Sequence, residues 1–182
     1  MQEQDTKPDL IEQYASAINA SNLRVEADRS GQADILICAG WSASRIGAAL
    51  MRLHTEFDSA ARLHGKPSET DFILLMGKLK SLASVREQIA WQADKWGIER
   101  PNAVTLAVVL WWLDKNCHSC HGLKFERAPD APVLTARHCR ACRGEGELAL
   151  PHGEAGKRLA RWMDECVERA RASIKNRLHG MR

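Results

Sequence analysis

CHSCHGLKFERAPDAPVLTARHCRACRGEG, residues 117–146, is the stretch on which the reading of this chain turns. It holds four of the six cysteines, as Cys117-x-x-Cys120 and Cys139-x-x-Cys142. The pairs are separated by the eighteen residues 121–138, and each is followed one residue later by a glycine, Gly122 or Gly144. Two thiolates two residues apart can grip one face of a tetrahedral Zn²⁺ at about 2.3 Å, and a second pair closes the other face. A glycine there lets the chain turn back with positive φ, so that backbone amides can point at the sulfurs. LKFER and PVLTARH carry the β-branched and aromatic residues of a hairpin, and residues 128–132 (APDAP) supply its turn. The expectation is a zinc ribbon, with one structural Zn²⁺ on Cys117, Cys120, Cys139 and Cys142. Two disulfides are the competing use of the same residues, and a reducing compartment disfavours them. Four protein ligands leave no open position, so the metal is expected to be structural rather than catalytic. His118, His121 and His138 are expected to be exposed or to stand behind the ligands.

The flanking sequence is helical in character. The chain has 182 residues, 45% hydrophobic and 27% charged, which suits one globular domain or one domain with an inserted module. Residues 7–20 can form a short helix, with Leu10, Ile11, Tyr14 and Ile18 at helical spacing. Residues 1–7 read as disordered, and 21–31 as a polar break. ADILICAG (33–40) suits either a buried strand or the first turns of a helix. Ser42 is expected to cap a helix over 42–64, with Ile46, Leu50, Leu53, Phe57 and Ala61 on its apolar stripe. Gly65-Lys66-Pro67 stops it, and Ser68 or Thr70 caps a helix through FILLMGKLKSL. That helix either continues over 85–96 or bends near 81–84, and Gly97 ends it. Pro101 starts a helix whose residues 103–113 are apolar nearly all round and therefore buried. This helix runs straight into Cys117, so the ribbon hangs from a core helix. After the linker LALPHG, residues 154–178 form an amphipathic helix with Leu159, Trp162, Met163, Cys166, Val167, Ala170, Ile174 and Leu178 on the apolar face. The fold class is therefore mainly α, with a β-hairpin zinc insert. Its expected parts are a body over 1–113, the insert over 114–148 and a C-terminal basic helix over 149–182.

Charge is unevenly spread. The net charge is only +3, yet residues 1–40 carry three basic and seven acidic groups, and residues 154–182 carry eight and four. This points to an anionic partner near the C-terminus. Arg137, Arg140 and Arg143 cluster on the second knuckle, and Lys157, Arg158 and Arg161 follow. Together they are the candidate contacts to nucleic-acid phosphates, or else a solvated charged face with Glu145, Glu147 and Asp164. Residues 89–108 also have a helix-turn-helix outline in Ala93, Gly97 and Val104, which two packed core helices would explain equally.

No enzyme motif is present: there is no Gly-rich phosphate loop, no His-Glu-x-x-His and no deaminase signature. Asp71, Glu87 and Asp94 read as solvated, and His54 and His64 lack carboxylate partners in this reading. Trp91, Trp96, Trp111 and Trp112 are expected in the core, with Trp41 and Trp162 as candidate exposed anchors. Cys38 and Cys166 are expected to be buried thiols. The start of the chain, MQEQDTKPDL, has no signal-peptide pattern, and no run is apolar enough to span a membrane. The expected setting is a reducing cytoplasm.

The knuckles CHSCHG and CRACRGEG resemble the zinc modules of DnaJ-type chaperones, which carry four such repeats where this chain has two. That likeness implies a protein-interaction or chaperone-like adaptor, although the J-domain His-Pro-Asp is missing. The chain more closely resembles the late-gene antitermination proteins Q of lambdoid phages. In that family a helical protein carries one zinc site of two such knuckles between helices. VTLAVVLWWLDKN, just before the first knuckle, is similar as well, and the likeness covers about residues 100–180. It implies a non-enzymatic transcription antitermination factor of phage or prophage origin. Such a factor binds double-stranded late-promoter DNA and engages bacterial RNA polymerase and its sigma factor, and self-association is compatible with this. Only the four cysteines carry over residue by residue. Lambda-like members place a helix-turn-helix-like pair after the zinc module, whereas residues 154–178 here read as one helix.

Overall fold

The computed structural model describes residues 9–21, 23, 31–64, 77–127 and 134–180. Five expectations lie wholly or mostly outside those residues: the disordered start, the polar break at 21–31, the stop at 65–67 with the cap after it, the FILLM helix, and the 128–132 turn. Among the described residues there are six helices: α1 (Leu10–Ile18), α2 (Gln32–Gly40), α3 (Arg45–His64), α4 (Leu82–Lys95), α5 (Pro101–Leu113) and α6 (Gly153–Gly180). One antiparallel pair, β1 (Phe125–Arg127) and β2 (Leu134–His138), lies between α5 and α6. The protein is thus mainly helical with a small two-stranded sheet. No helix is long and apolar enough to cross a membrane.

The chain divides into two compact units, residues 1–88 with 161–182, and residues 89–160. In the first, α1 packs on α2 and α3. Asp9 caps α1, and its carboxylate pairs with Arg171 of α6. ADILICAG resolves as helix α2, because the Asp34 carboxylate reaches back to accept the Gly31 amide at 2.8 Å. The cap of α3 is Ser44, not Ser42: the Gly47 amide donates to Ser44 Oγ at 3.2 Å, and Ser42 Oγ instead accepts from the Ser44 amide. Leu50, Leu53 and Phe57 are buried along α3 as their spacing requires. They share the core with Met163, Cys166, Ala170 and Ile174 of α6. At Gly47 the α3 backbone comes against the Cys166 carbonyl so closely that a Cβ would collide with it.

The second unit carries the cysteines. α4 ends in a Schellman motif: Gly97 takes φ +70°, its amide donates to the Asp94 carbonyl, and the Ile98 amide donates to the Ala93 carbonyl. Pro101 then opens α5 as expected. Val104, Thr105, Val108, Val109 and Leu113 are buried, while Asn102 and Ala103 are exposed, so α5 is not buried all round.

Three expectations fail on burial or pairing. Trp91 is 60% exposed rather than in the core, with the Lys95 ammonium 3.6 Å from its ring centre. Trp96, Trp111 and Trp112 are only half-buried. His54 does have a carboxylate partner, Asp58, at 3.0 Å and one turn along α3. Trp41 is exposed and Trp162 half-buried, and Cys38 and Cys166 are both buried.

Candidate metal centre

The two knuckles are near-copies in backbone as well as in sequence. In each, the second cysteine is followed by two residues at positive φ: His121 (51°) and Gly122 (81°), then Arg143 (54°) and Gly144 (88°). Two positions later the chain turns left-handed again, at Lys124 (69°) and Gly146 (82°). The Leu123 amide donates to the Cys120 carbonyl at 3.0 Å, and Glu145 does the same to Cys142 at 3.0 Å. The halves then exchange bonds. The Cys117 amide donates to the Gly146 carbonyl at 2.9 Å, and the Cys139 amide to the Lys124 carbonyl at 2.8 Å. Each knuckle therefore anchors the first cysteine of the other.

This exchange brings the four sulfurs to one point. Cys117 Sγ lies 3.9 Å from Cys139 Sγ, and Cys120 Sγ 3.6 Å from Cys142 Sγ. All four fall within 4.8 Å of one another, and all four are buried. A tetrahedron with ligands 2.3 Å from its centre has edges of about 3.8 Å, which these separations match. A disulfide needs about 2.05 Å, and all four thiols are free. The cluster could hold one metal ion.

The surroundings favour thiolate at Cys142 and thiol at Cys120. Burial raises the Cys142 thiol, but the Gly146 and Gly144 amides and its sulfur neighbours outweigh this and bring it down to about 7. The Gly146 amide donates to Cys142 Sγ at 3.2 Å. Burial pushes the Cys120 thiol up to about 11 against the Lys124 amide, and hydrogen bonds that its S–H donates to the other three sulfurs add to the rise. Four buried thiols this close cannot all ionise without a cation among them, because their like charges repel. Amides aimed at sulfur are the outer support that a metal thiolate needs.

The module is fastened to α5 within its own unit. Asn116 and Glu147 form a bridge, the Leu148 amide donates to the Lys115 carbonyl at 2.7 Å, and Trp111 Nε1 donates to the Leu148 carbonyl at 2.8 Å. His118, His121 and His138 are exposed. His138 stacks on Phe125 at 5.2 Å and packs against Gly144, where a Cβ would come within 2.6 Å of its Nδ1. The cysteines and knuckle glycines were visible in the sequence. The supporting role of Lys124 and Gly146 was not, although the second glycine of CRGEG was its signal.

The six basic candidates are all exposed. Arg140 is 3.3 Å from Glu126 and Lys157 is 2.7 Å from Glu154. Arg158 lies over the Trp96 ring at 4.2 Å. Arg137 is the penultimate residue of β2, Arg143 sits in the left-handed turn of the second knuckle, and Arg161 follows on α6. Comparison with protein-family models, with curated proteins and with solved structures finds no match.

Proposed function

We propose that the four thiols hold one structural Zn²⁺ in a zinc ribbon, and that the protein is a transcription antitermination factor of phage or prophage origin. The ion gives a module with almost no core of its own the rigidity to present its surface. Arg137, Arg140, Arg143, Lys157, Arg158 and Arg161 then meet phosphates of late-promoter DNA, while other faces engage bacterial RNA polymerase and sigma factor. No bond is made or broken in this mechanism, so the protein is not an enzyme. The observation that carries the reading is the closure of two CxxCxG knuckles on one point directly after α5, the arrangement on which the resemblance to the Q proteins rests. The test is a terminator read-through assay with purified bacterial RNA polymerase and a late-promoter template. Termination that falls when the protein is added supports the reading, and unchanged termination removes it.

The adaptor reading has one observation of its own. Arg140 and Lys157 are already held by Glu126 and Glu154, so fewer positive charges are free for phosphates than the sequence suggests. A mobility shift with promoter DNA at low salt separates the two, because an adaptor leaves the DNA unshifted. Metal analysis of protein purified under reductant should give one zinc per chain, and iron would instead colour the protein.

A further inference from the structure

The first unit contains a groove unrelated to the cysteine module. It is an open depression of about 750 Å³ bounded by α1, α2, α3 and the start of α4. Its apolar lining includes Ile18, Leu36, Ala39, Ala48 and Val85. Its charged lining is cationic: Arg45, Arg52 and Lys80. No described carboxylate lines it. Arg52 is occupied by Glu56 at 3.2 Å, but among the described residues Arg45 and Lys80 have no ion-pair partner. Ser81 and Ser84 also line it, the Ser81 hydroxyl donating to Glu56 Oε1 at 2.8 Å.

The wall contributed by α2 extends into exposed apolar surface. Leu36, Ala39 and Gly40 recur at three- and four-residue spacing and share one face, with Ile37 and Trp41 on the adjoining strip. Ile37 is 46% exposed and Trp41 71%, two of the five large hydrophobic residues exposed among those described. A Cβ at Gly40 would meet nothing within 4 Å among the described residues. A shallow apolar trough with unpaired cations on its edge and a tryptophan beside it matches a helix whose apolar stripe is flanked by carboxylates.

We infer that this groove is a docking site for an acidic amphipathic helix of a partner protein. Apolar side chains at i, i+3, i+4 and i+7 lie on the trough, and flanking Glu or Asp meet Arg45 and Lys80. The inference goes beyond the nucleic-acid reading and shares no residue with it, so either can fail alone.

The test uses the full chain and a labelled 18-residue peptide with Leu at the stripe positions and Glu beside them. A twin peptide has Lys in place of every Glu. Fluorescence anisotropy should show the Glu peptide binding at least tenfold more tightly than the Lys twin, with affinity falling as salt rises. Arg45→Glu with Lys80→Glu should reverse that preference, an effect that mere loss of packing would not produce. Gly40→Gln, whose side chain projects into the groove from a position free of clashes, should weaken the Glu peptide at least fivefold with the helical circular dichroism unchanged. It carries the test if the double variant does not fold. Equal binding of both peptides, no binding, or indifference to Gly40→Gln would overturn the inference. So would displacement of the Glu peptide by dodecanoate at equal concentration, which assigns the trough to a lipid-like anion. Self-association in sedimentation that Gly40→Gln abolishes would assign it to a second copy of this chain.

Discussion

At the scale of single residues, the metal centre depends on positions that tolerate no side chain. Gly144 combines φ +88° with a Cβ direction that runs into the His138 ring. Gly144→Ala should therefore cost about 1–3 kcal/mol and speed metal loss to a chromophoric chelator, with the four ligands intact. Thr105 is the opposite case. It is fully buried on α5, and its hydroxyl has no hydrogen-bond partner among the described residues. Thr105→Val keeps the shape and removes the orphaned oxygen, so it should raise stability by about 1 kcal/mol in urea denaturation. The cysteines were legible because ligand spacing is a property of neighbours along the chain. Trp91 and His54 were not. The exposure of Trp91 depends on which side of α4 finds a partner, and the Asp58 contact of His54 depends on side-chain rotamers. Helical spacing alone describes neither.

At the scale of elements, local chemistry marked the ends fixed by proline and glycine and left other features open. α5 starts at Pro101 and α4 stops at Gly97, as the residues required. α2 was ambiguous because nine residues are too few for periodicity to decide, although the Gly31-x-x-Asp34 cap was there to be read. Ser42 and Ser44 are both plausible caps, and the contact between Gly47 and the Cys166 carbonyl, 119 positions apart, is invisible to any local pattern. That contact makes a prediction. Gly47→Ala should force α3 and α6 apart and cost about 2–3 kcal/mol, read as a lower urea midpoint at unchanged slope. A surface glycine such as Gly40, free of contacts, should show no comparable loss.

At the scale of the whole molecule, the division into residues 1–88 with 161–182 and residues 89–160 has measurable consequences. Cys139→Ser, or chelation of the wild type, should abolish stoichiometric metal and expose amides 114–150 to hydrogen exchange. Protection along α1 and α3, and most far-UV helix signal, should persist; global loss would show that the metal supports both units. For DNA, six phosphate contacts predict a log–log salt slope of about −5. If Glu126 and Glu154 keep Arg140 and Lys157 engaged, the slope should be nearer about −4, and mobility shifts across a salt series distinguish the two. Apolar periodicity and cysteine spacing pointed to a helical protein with a compact insert. It could not show which stretches of helix share a core, because α4 and α6 each run through the division.

The crossed bonds from Cys117 to Gly146 and from Cys139 to Lys124 also bear on how the protein is made. Neither knuckle can be finished from its own residues, so a chain emerging from the ribosome holds an incomplete site until residue 146 is clear. Two synthetic peptides, one ending at residue 127 and one beginning at residue 134, should remain separate in chelator and pair once the ion is supplied.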